Sequence, residues 1–262
     1  CGALPALTIG ASADVPSCVA IVESGRGGAW DATNVAYAGA AVPTPIALDH
    51  MEFLGDTIAV IAARKSRIVK PASRVVSAHE RDDAWGEITA VCEKYEATLR
   101  VFGRDFSLTS LEPGVGGQVI SVEGVAGLYS SLALPLLGDY QAENAALAIA
   151  AVESFVQNGE QMLPRDVVEE GISLASSPGR LQRVSANPAV IVDAAHNPHG
   201  AEALTGAIMT SFSFDRLVCV IGILQEKDVV GIVEALDPVV DHFVVTNQPF
   251  FVRFLNLNMI QK

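Results

Sequence analysis

Asp193, His196 and Asn197 follow directly on an apolar run, Pro188-Ala189-Val190-Ile191-Val192. That run reads as a short buried β-strand. An acid, an imidazole and an amide at its carboxyl end sit where open α/β sheets meet their ligands. A second polar segment, Pro178-Gly179-Arg180-Leu181-Gln182, lies just upstream. Near the other end of the chain, Glu23 closes the apolar run from Ser17 and is followed by Ser24-Gly25-Arg26-Gly27-Gly28. A carboxylate there can bind a hard cation directly or through water; it can equally be a solvated strand-end acid before a glycine turn. Asp49-His50 ends the apolar stretch from Ala40 to Leu48. A lone His is more often structural, but an imidazole and a carboxylate at two adjacent strand ends could share a metal.

Arg64, Lys65, Arg67 and Lys70 form the one dense basic cluster. They could attract a polyanion, or simply suit the carboxyl end of a helix. Asn144 sits in a segment made largely of Ala, Leu and Ile, so its amide needs a partner, either a ligand or backbone. No GxxxxGK[ST] phosphate loop occurs in the 262 residues, which weighs against a self-sufficient NTPase.

The elements that must position these groups follow from periodicity. Apolar stretches predict strands at Ser17–Glu23, Arg74–Ser77, Thr98–Val101, Ala189–Val192, Leu217–Ile221 and His242–Thr246, while Pro43 argues against a central strand position after Ala40. Helical spacing appears at 56–65, 84–95, 141–156, 167–175, 199–211 and 227–236. Residues 106–136 alternate short apolar runs with glycines, as antiparallel hairpins do. After Arg180 the order strand, helix, strand, helix, strand predicts a second α/β unit with parallel-sheet logic. Half of the chain is apolar, enough for a substantial core, and the net charge is −13. That charge argues against nucleic acid or an anionic membrane as a partner. The four cysteines are scattered, with no CxxC pair, which fits a reducing compartment without disulfides or zinc. No apolar run reaches the roughly 20 residues that span a bilayer.

Several segments together resemble the folylpolyglutamate synthase/dihydrofolate synthase family, a branch of the Mur ligase superfamily. Glu23-Ser24-Gly25-Arg26-Gly27-Gly28-Ala29-Trp30-Asp31-Ala32-Thr33-Asn34 is similar to E-V-G-x-G-G-R-x-D-A-T-N. Thr44-Pro45-Ile46 through Asp49-His50, then Leu54-Gly55-Asp56-Thr57, resembles T-P-I-x-x-D-H…L-G-x-T. Ile61 to Pro71 resembles I-A-x-E-K-A-G-I-x-K-P, with Arg64 and Arg67 in place of Glu and Gly. Leu136 to Ala145 resembles L-x-G-x-H-Q-x-x-N-A, with Tyr140 in place of His. The P-G-R-L-Q and D-A-A-H-N-P segments complete the series in family order.

The resemblance implies an α/β protein. Residues 1–182 would be an incomplete Mur-ligase-like ATPase domain whose P-loop part precedes residue 1, and residues 183–262 a truncated, Rossmann-like glutamate-ligase domain. It implies ATP and Mg²⁺ as cofactors, with Glu23 and His50 as metal ligands. Asn144, Arg180 and Asp193 fall on ATP-binding positions, Lys65 on a lysine that is carbamylated, and His196 on the segment facing the nucleotide. The implied reaction joins L-glutamate to a folate or pteroate carboxylate through an acyl phosphate, in a cytoplasmic monomer without nucleic-acid or membrane partners. The 262 residues alone are expected to have little or no ligase activity. The alternatives are a non-catalytic remnant that binds nucleotide or folate, a Mur-type peptidoglycan ligase, and an unrelated metal hydrolase using Glu23, His50 and Asp193.

Overall fold

The computed structural model describes residues 19–25, 27–48, 51–224 and 227–246, with the backbone alone at Met51 and Glu52. The chain divides into two compact units that are not contiguous in sequence. One comprises residues up to 109 with 121–130 and 143–168; the other comprises 110–120, 131–142 and the residues from 169 onward.

The first unit is built on a parallel sheet in the order β1 (Ala40–Ala41), β2 (Arg74–Ser77), β3 (Thr98–Val101). Strand β1 is only two residues long because Pro43 has no N–H to give to a ladder. Its carbonyl still accepts from Ala78 N at 3.3 Å, so the chain keeps running beside β2. Between β1 and β2 lie α1 (Met51–Leu54) and α2 (Ile58–Lys65); α3 (Asp82–Lys94) connects β2 to β3. Thr57 caps α2, its hydroxyl accepting from Val60 N at 3.3 Å, a contact worth about 1 kcal/mol. Ile58, Ile61 and Ala62 on α2 and Ala84, Ile88 and Cys92 on α3 repeat at helical spacing and pack with Val75 as one core. Burial pushes the Cys92 thiol up to about 11, with the Glu93 charge adding to it.

The strand expected at Ser17–Glu23 is not formed over the described part, 19–23, where Val19, Ile21 and Val22 are exposed. A strand buried in a parallel sheet needs neighbours for its backbone groups, and no described strand pairs with this segment.

Strands β4 (Ser107–Gly114), β5 (Gly117–Glu123) and β6 (Leu128–Leu134) form a second sheet in that order. The two-residue connection Val115-Gly116 marks β4–β5 as the expected hairpin. Helix α4 (Asp139–Gln157) carries Glu153, which is fully buried; its carboxylate accepts from Tyr129 Oη at 2.8 Å and Val125 N at 2.6 Å. The Tyr129 oxygen in turn accepts from Leu163 N at 2.8 Å. Burial, with the Glu153 hydrogen bond adding to it, pushes the Tyr129 phenol up to about 12. Helix α5 (Arg165–Ser173) follows.

In the second unit β7 (Gln182–Ala186) pairs antiparallel with β8 (Ala189–Val192). Strand β9 (Val218–Ile221) pairs in parallel with β10 (His242–Val245). Helices α6 (Pro198–Ser211) and α7 (Val229–Leu236) are tied by the Thr205 hydroxyl, which donates to Ala235 O at 2.7 Å. The strand–helix alternation is as expected, but β8 joins a hairpin rather than the parallel pair, and Val190 and Val192 stay exposed instead of buried. The turn at Asn187-Pro188 delivers β8 directly to β7, and the run-based reading had no signal for that partner. Among the described residues no helix is long and apolar enough to cross a membrane.

Candidate functional site

In the second unit the polar groups at the end of β8 organise the turn that carries Arg180. The Asp193 carboxylate accepts Leu181 N on Oδ2 and Ala195 N on Oδ1, both at 2.7 Å. Leu181 is 3 % exposed and has φ +47, a left-handed conformation that costs an ordinary residue about 1 kcal/mol or more. Its side chain is held in a small core with Ala207 and Ile208, flanked by Tyr140, Ile191 and Leu204. On the other side of Arg180, Gly179 N donates to Gln182 Oε1 at 2.9 Å, and Arg180 N donates to Ser177 O at 3.1 Å. Arg180 itself is exposed. Burial lifts the Tyr140 phenol above its usual range; the Asp193 charge adds to this and Arg180 opposes it. These three side chains therefore share one local field.

Gly138, at φ +92, starts this arrangement: a Cβ there would lie 2.6 Å from Tyr140 Cε1 and 3.0 Å from Ala207 Cβ. The buried Gln118 amide holds the segment by donating to Leu136 O and Gly138 O at 2.8 and 3.0 Å. His196 places Nδ1 3.0 Å from Ala194 O; a carbonyl only accepts, so the proton sits on Nδ1. Asn197 caps α6, accepting from Gly200 N at 2.7 Å, with Pro198 at the first helical position.

In the first unit Lys65 ends α2 and is half-buried. The glycine turn after Glu23 docks against it. A Cβ on Gly28 would lie 2.5 Å from Ile68 Cγ2 and 2.9 Å from both Ile68 N and Lys65 O, so only glycine permits this approach. The D-A-T-N segment is a structural brace. Asp31 Oδ1 accepts from Thr33 N and Oγ1 at 3.0 and 2.7 Å, and Lys70 Nζ donates to Asn34 Oδ1 and O at 2.7 and 3.0 Å. Arg64 donates to Phe53 O. The basic cluster thus divides: Arg64 and Lys70 hold backbone, while the Lys65 charge acts on a carboxylate that no sequence motif marks.

That carboxylate is Glu80, 7 % exposed, just beyond the end of β2. Its Oε2 accepts from Ile46 N at 3.0 Å, and its Oε1 has no hydrogen-bond partner. Burial pushes the carboxyl up to about 7, while the Ile46 N–H and the Lys65 charge pull it down. Ser24 Oγ and Ser77 Oγ are likewise buried without partners. These oxygens are the hard donors that Mg²⁺ takes, and Mg²⁺ needs only one or two protein oxygens beside water and phosphate. No group of three His, Cys, Asp or Glu residues among the described residues could hold a metal ion unaided, so an ion here would need water or phosphate oxygens to complete its coordination.

The sequence-derived positions are thus distributed as follows. Arg180, Asp193 and His196 all lie in the second unit, where Asp193 bonds the backbone N–H of Leu181, next to Arg180. Lys65 lies beside the Glu23 turn in the first, with Glu23 itself exposed. Asn144 is exposed on α4 rather than on its buried face, which Ala142, Ala145 and Ala146 supply. His50 lies outside the described residues. Gln182 and Glu80 were not singled out by pattern. The signal for Gln182 was its place in P-G-R-L-Q; Glu80 sits in the run His79-Glu80-Arg81-Asp82-Asp83, which reads as solvated charge.

A family model for the Mur ligase middle domain matches residues 17–152, and one for the Mur ligase glutamate ligase domain matches residues 179–258. The chain is 42% identical over 251 residues to a dihydrofolate synthase/folylpolyglutamate synthase of Mycobacterium tuberculosis, covering 93% of this chain and 52% of that protein. It is 34% identical over 218 residues to the folylpolyglutamate synthase of Lacticaseibacillus casei, covering 83% and 51%. Among solved structures it matches Mycobacterium tuberculosis folylpolyglutamate synthase complexed with ADP at TM-score 0.91 and 41% identity, covering 98% of this chain and 57% of that one. A folylpolyglutamate synthase complex with AMPPCP and folate matches at TM-score 0.89 and 32% identity, covering 94% and 60%. The chain spans about half the length of the curated relatives it matches.

Proposed function

The chain belongs to the Mur ligase family, and from that premise we propose that it serves ATP-dependent ligation of L-glutamate to a folate or pteroate carboxylate. The observation that carries this reading is the similarity, along 98% of the chain, to a folylpolyglutamate synthase complexed with ADP. A carboxylate is a poor electrophile. Phosphorylation by ATP makes it an acyl phosphate, and the amine of glutamate displaces phosphate to give the amide.

In this reading Arg180 meets the phosphate charge that grows during transfer, where positioned cations do most of the catalytic work. The turn around it already holds its backbone, so no reorganisation is needed when the nucleotide arrives. His196, three residues beyond Asp193, and Asn144, on α4, are further residues that this reading assigns to nucleotide binding. Mg²⁺ would neutralise phosphate oxygens; Glu23 and His50 would hold it, and Lys65, as a carbamate, would add an anionic oxygen. The acyl phosphate must be kept from water until the amine attacks. Residues 1–182 supply the ATPase part and residues 183–262 the glutamate-ligase part. The same reading makes the protein a cytoplasmic monomer acting on small molecules, with no nucleic-acid partner.

The test supplies ATP, Mg²⁺, L-glutamate and either dihydropteroate or tetrahydrofolate, and follows ADP release. Release that requires both glutamate and the pterin substrate supports the reading. Release that instead requires a peptidoglycan precursor supports the other Mur branch, and nucleotide binding without turnover supports a non-catalytic remnant.

A further inference from the structure

The backbone around Arg180 is restrained at three consecutive N–H groups. Gly179 N is held by the Gln182 side chain at 2.9 Å, Arg180 N by Ser177 O at 3.1 Å, and Leu181 N by the Asp193 side chain at 2.7 Å. Two of the three acceptors are side chains. The two residues flanking Arg180 both have positive φ, +72 at Gly179 and +47 at Leu181. A left-handed leucine is unfavourable by itself, so something must select it. The 2.7 Å bond to Asp193 and the burial of the Leu181 side chain do so together. Asp193 is further committed: its second oxygen accepts Ala195 N at 2.7 Å, which fixes the turn leading to His196.

We propose that Gln182 and Asp193 are positioning residues that clamp the Gly179–Leu181 turn and thereby aim the Arg180 guanidinium at the anion it binds. This rests on the reading of Arg180 as the cation that meets nucleotide phosphate, and it gives Asp193 a supporting role within that reading. It also accounts for the combination P-G-R-L-Q with a downstream Asp. The glycine permits φ +72, the glutamine and aspartate hold the N–H groups on either side of the arginine, and the leucine anchors the turn in the core.

Two measurements on the full chain test the clamp. The first is ADP affinity by calorimetry for the wild type, Arg180→Ala, Asp193→Ala, Gln182→Leu and Gln182→Glu, and for the double variant Arg180→Ala/Asp193→Ala. Positioning predicts that Asp193→Ala and Gln182→Leu each weaken ADP by about the factor seen for Arg180→Ala, on the order of tenfold for one charge-assisted contact. Gln182→Glu, which keeps the acceptor, retains most of the affinity. The double variant is no weaker than Arg180→Ala alone, since a residue acting through another adds nothing once that residue is gone. Losses that multiply in the double variant would overturn the proposal and return Asp193 to direct contact.

The second measurement is amide hydrogen exchange at Leu181 and Gly179, which needs no nucleotide. Exchange at Leu181 should rise at least about tenfold in Asp193→Ala, and at Gly179 in Gln182→Leu, with protection elsewhere unchanged. Unchanged exchange at both sites would overturn the clamp. Absence of ADP binding by the wild type, with the exchange results as expected, would overturn the nucleotide reading and leave the clamp standing.

Discussion

Glu80 Oε2 accepts the backbone N–H of Ile46 at 3.0 Å, a bond that spans 34 residues of chain. It ties the loop leaving β1 to the segment just beyond β2. The other oxygen of the same carboxylate is buried and unpaired, within the field of Lys65. One buried acid therefore braces that loop and feels the charge of the lysine at the end of α2.

This arrangement predicts a pH signature. The Glu80 carboxyl is raised from 4.5 to about 7 in the folded chain, so between those values the folded state holds a proton that the unfolded state has lost. The contribution of Glu80 to stability is thus fully present below about pH 4.5 and is lost as pH rises to about 7. The loss amounts to about 3–4 kcal/mol, at roughly 1.4 kcal/mol per unit. Urea unfolding of wild type and Glu80→Gln from pH 4.5 to 8 should show the wild type losing stability relative to the variant across that window. A pH-independent difference would contradict the assignment.

Gly28 should not tolerate a side chain. In Gly28→Ala the new methyl group would meet backbone at Ile68 N and Lys65 O, which cannot rotate away. A destabilisation of about 1–3 kcal/mol is expected, read as a lowered urea midpoint. Gly86→Ala is the control: a Cβ there has nothing within 4 Å, and alanine favours the interior of α3, so that variant should be neutral or slightly stabilised.

The Tyr129–Glu153 pair should be strongly coupled. Glu153→Ala leaves the Tyr129 hydroxyl and the Val125 N–H without their acceptor in a buried setting, at a cost of about 3 kcal/mol or more. Tyr129→Phe removes the hydroxyl that also accepts from Leu163 N. A double-mutant cycle by thermal unfolding should give a coupling of about 1–3 kcal/mol; additive effects would mean that the network is not formed.

Much of the fold was legible because its signals are local. The 3.6-residue spacing of Ile58, Ile61 and Ala62 marked α2, and the caps Thr57 and Asn197 sit just before their helices. Asp193 and His196 are visible in the sequence as strand-end polar groups and Arg180 in the upstream P-G-R-L-Q segment; Asp193 bonds the backbone of Leu181, next to Arg180. What was missed depends on distant partners. The apolar run at 19–23 looked like a strand but has no described neighbour to pair with. Glu80 is buried because a loop 34 residues away closes over it, and no local pattern reports that. Asn144 reads as an amide on the apolar face of its helix, yet it lies on the exposed face with Glu143, while Ala142, Ala145 and Ala146 form the buried one. Asp193 is legible as a strand-end acid, but the groups it bonds are backbone N–H donors, which a sequence of side chains does not display.

The most direct test of the functional account is product analysis. The protein as its gene encodes it is incubated with ATP, Mg²⁺, L-glutamate and either dihydropteroate or tetrahydrofolate, and the pterin products are resolved by mass spectrometry alongside ADP. The account predicts a product heavier by one glutamyl residue, formed in equal amount with ADP and lost together with it in Arg180→Ala. ADP release that needs no pterin substrate, or a folded protein that binds ATP and forms no glutamylated product from either acceptor, would contradict it.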